Sequence, residues 1–414
     1  MTSQPYIKLL PGDYAVHLDL IAKVRGLDST EEFFADLPKR MKTRSTFTAL
    51  LNAYVQNKLP TKAEFLMQVM ASRGFLSSCL PFNHMLNLYI STGQLDKVPE
   101  VINELKKNCT PNQYTYNLLL TACADKDDSN GAEEVILEMK TYKISPDWVT
   151  FSILTGIYMK SGNLNKAREA LEEMENRVSR KDRVAFPSLI TLHASLSDKE
   201  NVLRIWKNMK LMFRKMSDTE YKCILASLVK LDDIETAEIV YDEWDSVTGT
   251  RDSRISNILL AYYAKNDMSK AEEFHEQTAK SGINHSYTTW ETLALGYLHV
   301  NRMDKALDCL RKAFSSAWKW EPNIELVRAV FQGLKKNGDA DGGEQFLVML
   351  RDAGYVTTEV YNMLLLTYVE ARKMPLIVIE RMKKDQVSLD EETHRLLRLT
   401  SRFCIGSAST LISS

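Results

Sequence analysis

The sequence predicts an all-α fold, a right-handed superhelical α-solenoid of about 11 tandem helix-turn-helix repeats of about 35 residues. A short motif recurs along the chain: an aromatic or apolar residue, a polar residue, then two or three apolar ones. Within each interval, apolar residues lie three and four positions apart, as they do on one face of a helix. Small residues and turn residues recur at the same phase, so each interval holds two helices.

Ten copies of the motif define the repeat. They begin at residues 46, 81, 115, 150, 185, 220, 255, 289, 326 and 360, so successive copies are 34 to 37 residues apart. In the fourth interval, Leu154 and Tyr158 share one helical face, and Ala167 and Leu171 share a face of a second helix. Neither helix could bury its face alone, so we expect stacked pairs with a continuous core.

Two further positions keep the same phase. A small residue recurs in the second half of most intervals, for example Ala132 and Ala167, where it would let two helices approach closely. Gly93 and Gly162 lie between the two halves, where a left-handed residue commonly ends a helix.

The end of each interval distinguishes among helical repeats. Armadillo-like units of about 40–47 residues are too long, and the early Trp and Leu-Gly of tetratricopeptide units do not recur. Instead the intervals end "TPN" (110–112), "SPD" (145–147) and "EPN" (321–323) and resume with "TYNLLL" or "TFSILT". This resembles the pentatricopeptide repeat family, specifically its P-type class of plant organelles. The resemblance covers about residues 13–400 and is strongest in 79–182, while 13–38 looks like the degenerate opening repeat of a mitochondrial-type subgroup.

The resemblance implies where RNA would bind. Repeats of this kind read about one base each through two or three side chains. These are the fifth residue of the first helix and the last residue of the unit, which we call the polar pair, with an apolar second residue as a wedge. The residues so implied are Thr48 with Ser78; Leu80, Asn83 and Asn112; Tyr114, Asn117 and Asp147; Val149, Ser152 and Asp182; and Asn257.

The implied preferences differ by unit. The unit 79–112 looks cytosine-preferring, the unit 113–147 looks uracil-preferring, and the unit 148–182 leans to purines. An alternative reading is helix capping, because Asn112 and Asp147 immediately precede a helix and Asn and Asp are preferred there. In the second half the pattern decays. Glu291, Glu325 and Glu359 occupy positions where carboxylates would repel RNA.

Lysines at one repeat phase, among them Lys160, Lys230 and Lys265, end the first helix of their units. They would form a stripe that contacts the RNA backbone, or they would be solvated lysines that interact favourably with the helix dipole.

The chain organisation follows from these patterns. We expect an unstructured segment (1–12), a degenerate opening repeat (13–43), the best-kept repeats as the candidate RNA-binding part (44–182), degenerate repeats (183–390), and a partial capping repeat with a tail (391–414).

The totals exclude several classes of function. The net charge of −1 is not that of a basic, non-specific nucleic-acid binder, and no apolar run reaches the length of a membrane span. The six cysteines and seven histidines show no metal-ligand spacing, and the His-x-Glu and Cys-x-x-Cys ligands of a zinc deaminase are missing. We therefore expect no enzyme, no metal, no cofactor and no small-molecule substrate.

The sequence thus predicts a protein that binds single-stranded RNA of organellar transcripts in its concave groove and acts in RNA processing, stability or translation. The alternative is a protein-interaction scaffold or a subunit of a large ribonucleoprotein such as the organellar ribosome. The resemblance implies a mitochondrion, with the chloroplast as alternative, although "MTSQPYIKLLPG" does not read as a targeting leader.

Overall fold

A computed structural model describes residues 10–316 and 320–409, which form 23 α-helices, one 3-10 turn (Lys39–Met41) and no strand. The helices are α1 (Pro11–Val24), α2 (Leu27–Asp36), α3 (Arg44–Gln56), α4 (Pro60–Ser72), α5 (Cys79–Ser91), α6 (Val98–Asn108), α7 (Gln113–Asp125), α8 (Ser129–Thr141), α9 (Trp148–Lys160), α10 (Leu164–Arg177), α11 (Ala185–Ser195), α12 (Lys199–Met212), α13 (Asp218–Lys230), α14 (Ile234–Thr248), α15 (Ser253–Asn266), α16 (Met268–Lys280), α17 (Tyr287–His299), α18 (Met303–Ser316), α19 (Ile324–Asn337), α20 (Ala340–Asp352), α21 (Thr358–Glu370), α22 (Val378–Lys384) and α23 (Glu391–Ser409).

The described helices pair into eleven hairpins, from α1–α2 to α21–α22, and α23 follows the last of them. The predicted all-α solenoid of tandem helical hairpins is therefore confirmed. Helix α1 begins at Pro11, two residues before the predicted start of the opening repeat at residue 13. The rest of the predicted N-terminal segment, apart from Leu10, and the last five residues of the predicted tail lie outside the described residues.

The chain forms two compact units, Met1–Ile205 and Trp206–Ser414. In the first unit, the first helices of successive hairpins stack: α3 on α5, α5 on α7, and α7 on α9. In the second unit, α13 packs on α15, α15 on α17, α19 on α21, and α21 on α23. This stacking places the start of each first helix beside the opening turns of the one before it.

The recurring small residues lie where second helices meet the core. Ala63, Ala132, Ala167, Ala237, Ala271 and Ala306 are all 0% exposed. The apolar faces predicted for the first helices are buried as well, including Leu154 and Ile157 of α9. Close packing at these positions explains why the sequence keeps a side chain no larger than a methyl group there in most units.

The turn within a hairpin is made by a left-handed residue. Gly93 and Gly162 have φ of 71° and 75°. At the same place in other hairpins, Lys58, Asp127 and Ser197 have φ between 53° and 59°. A residue with a Cβ atom is strained in this conformation. The hairpins that use Gly93 and Gly162 therefore avoid an energetic cost that the hairpins with Lys58, Asp127 and Ser197 bear.

A three-residue ionic contact joins successive second helices. The Glu272 carboxylate accepts hydrogen bonds from the Tyr297 hydroxyl and from Nζ of Lys305, both at 2.6 Å. The same arrangement recurs in the triplets Glu64–Tyr89–Lys97 and Glu238–Tyr263–Lys270. We call it the tyrosine clasp. In these three places it links one hairpin to the next on the side of the second helices.

Candidate nucleic-acid interface

The polar pair of the unit 79–112 is brought together at the start of α7. Nδ2 of Asn83 donates to Oδ1 of Asn112 at 3.3 Å, although the two residues lie 29 positions apart. The hydroxyl of Thr115 donates to Oδ1 of Asn83 at 2.8 Å, and its backbone N–H donates to Oδ1 of Asn112 at 2.9 Å. Asn83 is 2% exposed, so its orientation is fixed by these bonds. We call the three residues a polar triad.

The next unit repeats the arrangement. Nδ2 of Asn117 lies 3.4 Å from Oδ1 of Asp147, and the Thr150 hydroxyl donates to Oδ1 of Asn117 at 2.7 Å. The Thr150 N–H donates to Oδ1 of Asp147 at 2.8 Å, which caps α9. The expected helix cap at Asp147 is therefore present, and the same carboxylate oxygen also accepts from Asn117.

The two triads leave different groups available. In Asn112, Oδ1 accepts the hydrogen bonds from Asn83 and from the Thr115 N–H, and Nδ2 has no hydrogen-bond partner among residues 10–316 and 320–409. In Asp147, Oδ1 takes all the bonds, and Oδ2 has no partner within the same residues. The first triad thus offers a donor and the second an acceptor, each beside a buried asparagine.

Apolar side chains flank both triads. The second residue of α5, Leu80, is 51% exposed, and the second residue of α7, Tyr114, is 54% exposed. Val149 holds the same position in α9 and is half-buried. Large apolar groups that stay exposed beside fixed polar groups form the walls against which a planar base can stack.

The polar pair of the first complete unit is not joined. The Thr48 hydroxyl donates to the carbonyl of Arg44 within its own helix at 2.8 Å. Ser78 precedes α5 without capping it through its side chain. The residue three positions after Ser78 is Pro81, which has no hydroxyl with which to form a triad.

Ser152 and Asp182 also do not bond to each other. The Asp182 carboxylate turns back to accept from the hydroxyl and the N–H of Ser179, at 2.6 and 3.0 Å, and these bonds lower its pKa. Helix α11 begins only at Ala185, three residues after Asp182. Ala185 stands where Thr115 and Thr150 stand in the two triads, so this repeat has no hydroxyl with which to complete a triad.

Two later polar pairs differ in outcome. Asn362 forms a complete triad with Asp390 and Thr393, in which Nδ2 of Asn362 lies 3.1 Å from Oδ1 of Asp390. Asn257 instead donates to the Thr288 hydroxyl at 3.1 Å, and its Oδ1 is buried with no partner among the described residues.

Other residues at the polar-pair and wedge positions of the second compact unit are charged, and they bond to side chains of the protein itself. Arg328 donates to Glu325 and Glu359, both at 2.8 Å. Trp320 donates to Glu291 at 2.9 Å, while burial raises the pKa of Glu291. The groups that would face a base are thus occupied within the protein.

The three lysines all lie exposed at the ends of first helices. Nζ of Lys160 donates to the carbonyl of Ala124 at 3.0 Å, which caps the end of α7, and lies 3.3 Å from the Asp127 carboxylate. Lys160 lies in the first compact unit, whereas Lys230 and Lys265 end α13 and α15 in the second.

The threonine of each triad was not predicted. It lies three residues after the last residue of the unit, and Thr46, Thr115, Thr150, Thr289 and Thr393 share that position. A threonine that recurs at the third position of a helix, behind Asn or Asp, is the signal that would have identified it.

The described residues provide neither a metal site nor a membrane-spanning helix. They contain no group of three or more His, Cys, Asp or Glu side chains that could hold a metal ion. They also include no helix of the length and apolar character needed to cross a membrane.

Comparison with family models matches four segments of the chain. A model described as PPR repeat family matches residues 81–125, and one described as pentatricopeptide repeat domain matches 108–161. A PPR repeat model matches 45–75 and 149–177.

Relatives match over nearly the whole chain. A mitochondrial pentatricopeptide repeat-containing protein of Arabidopsis thaliana is 51% identical over 414 residues, which is 100% of this chain and 78% of the relative. The Arabidopsis large ribosomal subunit protein mL101 is 36% identical over 93% of this chain and 80% of its own length. The crystal structure of maize PPR10 superposes with a TM-score of 0.45 at 17% identity, over 96% of this chain and 62% of the maize chain.

Proposed function

The chain belongs to the pentatricopeptide repeat family. From this premise we propose that it binds single-stranded RNA through the two polar triads of the first compact unit. The contact is non-catalytic: the protein occupies a transcript and so affects its processing, stability or translation. The segment 44–182 is the candidate RNA-binding part, and within it the two complete triads are the strongest sites.

The observation that carries this proposal is the pair of available groups. Adjacent triads present Nδ2 of Asn112 and Oδ2 of Asp147, each beside an exposed apolar wall. A cytosine has an unprotonated N3 that accepts a hydrogen bond, whereas a uracil has an N3–H that donates one. A donor at the first site therefore suits cytosine, and an acceptor at the second suits uracil.

The walls and the lysine complete the contact. A base stacked on Leu80 or Tyr114 contributes about 1–3 kcal/mol in comparable single-strand binders, without regard to sequence. Lys160 supplies positive charge near the same helices for the phosphate backbone. Because Asp127 already pairs with Lys160, the backbone contact is weak, and the bases determine most of the specificity.

Fluorescence anisotropy with single-stranded RNAs of about ten nucleotides tests the proposal, at about 150 mM salt. Adenosine oligomers that carry cytosine next to uracil, in both orders, are compared with all-adenosine RNA. We expect the pyrimidine pair to bind at least about tenfold more tightly in one order, because two base contacts are gained. Equal affinity for all these RNAs would contradict the proposal.

A paired variant isolates the triads. Asn83→Ala with Asn117→Ala should abolish the preference for the pyrimidine pair, whereas Asn257→Ala serves as the control in the second compact unit, because Asn257 forms no triad. Thermal unfolding of each variant identifies any loss of folding that would mimic a loss of binding.

We also infer a second candidate function, a subunit of a ribonucleoprotein, which the internal pairing of the second unit favours. There Arg328, Glu291 and Asn257 bond to neighbouring repeats, which leaves those repeats unsuited to read bases. The 36% identity to mL101 supports this alternative. Affinity purification before and after nuclease treatment separates the two functions, since protein partners that persist without RNA indicate a scaffold.

The proposed location is the mitochondrion, on the strength of the Arabidopsis relative whose name includes it. Fluorescent fusion of the full-length reading frame in plant cells tests this location. Signal in chloroplasts would favour the alternative.

A further inference from the structure

An open groove lies on the side of the second helices, between α8 and α10. Its volume is about 640 Å³, compared with about 400 Å³ for the groove between α4 and α6. Side chains of α9 form its floor, among them Phe151 and Tyr158. These residues belong to the first compact unit, and none of them is part of a polar triad.

One wall of the groove carries an unexpected apolar residue. Leu137 of α8 is 65% exposed although it lines the groove beside Ile136. An exposed leucine over an aromatic floor forms a contiguous apolar patch, and such a patch bounded by charges is typical of a surface that binds another protein.

The charges around the groove are negative on balance. Four carboxylates line it, those of Glu133, Glu134, Glu169 and Glu173, against the amines of Lys140 and Lys166 and the Arg177 guanidinium over its floor. Glu133 pairs with Lys166, and Glu173 with Arg177. Glu134 and Glu169 have no ion-pair partner in the part of the chain that the structure describes. An RNA would meet unpaired carboxylates here, which disfavours it as the occupant.

The aromatic floor already accepts cations from the chain itself. The Arg177 guanidinium lies 4.4 Å from the Phe151 ring centroid, and Nζ of Lys166 lies 5.6 Å from that of Tyr158. Because the chain's own cations occupy these rings, Glu134 and Glu169 are the groups that remain to pair with lysine or arginine side chains of a partner.

We propose that the groove between α8 and α10 binds a basic amphipathic helix of a partner protein. The 13 residues of α8 span about 20 Å, so the groove accommodates three to four turns of a helix. The apolar face of the partner packs on Leu137, Phe151 and Tyr158, and its lysine or arginine residues pair with Glu134 and Glu169. The polar triads use other residues, so RNA and this partner bind at the same time.

A fluorescein-labelled peptide of leucine and lysine, patterned as an amphipathic helix, is the probe for the full chain. A peptide with the same leucine pattern and glutamate in place of lysine is its counterpart. We expect anisotropy at about 150 mM salt to show saturable binding of the basic peptide alone, at least about tenfold tighter than its counterpart, because like charges oppose the latter.

The variant Leu137→Asp with Glu134→Lys and Glu169→Lys should lower the affinity for the basic peptide by about tenfold or more. Its control of equal charge change is Ile239→Asp with Glu235→Lys and Glu276→Lys, three exposed positions in the second compact unit, which should change the affinity by less than about twofold. Equal unfolding midpoints verify that the variants fold.

Three results would overturn the proposal. The groove variant binds the basic peptide as tightly as the original chain, or the two peptides bind equally well. Alternatively, single-stranded RNA displaces the peptide and the groove variant loses RNA binding, which would make the groove a nucleic-acid surface. Since the pyrimidine preference is measured separately on the triads, failure of this inference leaves the proposed function standing, and the reverse also holds.

Discussion

The exchange Asp147→Asn tests the assignment of bases most directly. Oδ1 of Asp147 accepts from Thr150 N and Thr150 Oγ1 and from Asn117, at 2.8, 2.9 and 3.4 Å. An asparagine in the same orientation keeps all three bonds through its own Oδ1, and it caps a helix as well as aspartate does. The change therefore converts the free group from an acceptor into a donor and leaves the fold intact.

The expected magnitude follows from that single group. A hydrogen bond to a charged partner contributes about 1.5–3 kcal/mol, which corresponds to roughly a 10- to 150-fold change in affinity. With a uracil, the variant loses this bond and places a donor against N3–H. With a cytosine, it gains a neutral bond. The ratio of uracil to cytosine affinity should fall at least about tenfold and should reverse if both effects are realised.

Fluorescence anisotropy with two RNAs that differ only in this nucleotide measures the ratio, and the ratio cancels the uniform effect of one lost negative charge. Asp182→Asn makes the same change of charge one repeat later, where the carboxylate bonds to Ser179. An unchanged ratio in Asp147→Asn, or an equal shift in Asp182→Asn, would refute the reasoning.

Four more expected outcomes concern stability. Thr150→Val removes the hydroxyl that joins a buried asparagine to the cap, and it should lower the free energy of unfolding in urea by about 1–3 kcal/mol. Glu272 and Lys305 of the tyrosine clasp are partly exposed, so a double-mutant cycle should give a coupling of about 0.2–1 kcal/mol that decreases in high salt. Gly162→Ala places a methyl group at φ of 75° and should cost about 1 kcal/mol. Burial lowers the pKa of His275 to about 4 from 6.5, so the unfolded chain binds the proton at higher pH, and stability should fall from about pH 6.5 to pH 4. His275→Gln should flatten that part of the pH profile measured by thermal unfolding.

Each of these outcomes has a contrary result. A neutral Thr150→Val would show that water replaces the hydroxyl. A coupling near zero for the clasp would leave packing as the sole link between second helices. An unaffected Gly162→Ala would mean that the turn readjusts, and a pH profile unchanged by His275→Gln would assign the acid instability to other groups.

The hydrogen bond from Lys305 and the hydroxyl of Tyr297 lower the pKa of Glu272, and the sign of this shift is opposite to that of a buried carboxylate. Its contribution to stability is present above the pKa of an unfolded glutamate and is lost as the pH falls through the lowered value. Acid unfolding of the chain thus combines protonation of clasp carboxylates with protonation of His275.

Much of the architecture was predictable because it is periodic. The interval between copies of the motif, the buried alanines and the left-handed Gly93 and Gly162 all recur, and a recurrence can be detected without knowledge of any contact. The proximity of Asn83 to Asn112 was also expected, since the resemblance implies that these two residues read one base together.

What could not be predicted depends on single residues outside the recurring motif. Asp182 lies at the expected position but does not cap α11, because its carboxylate bonds to Ser179 and the helix begins only at Ala185. The tyrosine clasp joins residues 25 and 33 positions apart on different helices, so no local pattern indicates it. In the second unit, Arg328 bonds to two glutamates at once, a choice that only the three-dimensional arrangement decides.

The triads have a consequence for any truncation of the chain. Each site takes its asparagine from one hairpin and its cap and threonine from the start of the next, so a cut at a hairpin boundary leaves half a site at the edge of the fragment. A piece that stops at Lys384, after the eleventh hairpin, would contain Asn362 but neither Asp390 nor Thr393. Helix α23 is then the closing half of that site, and a fragment of any number of hairpins holds at most one fewer complete site than it has hairpins.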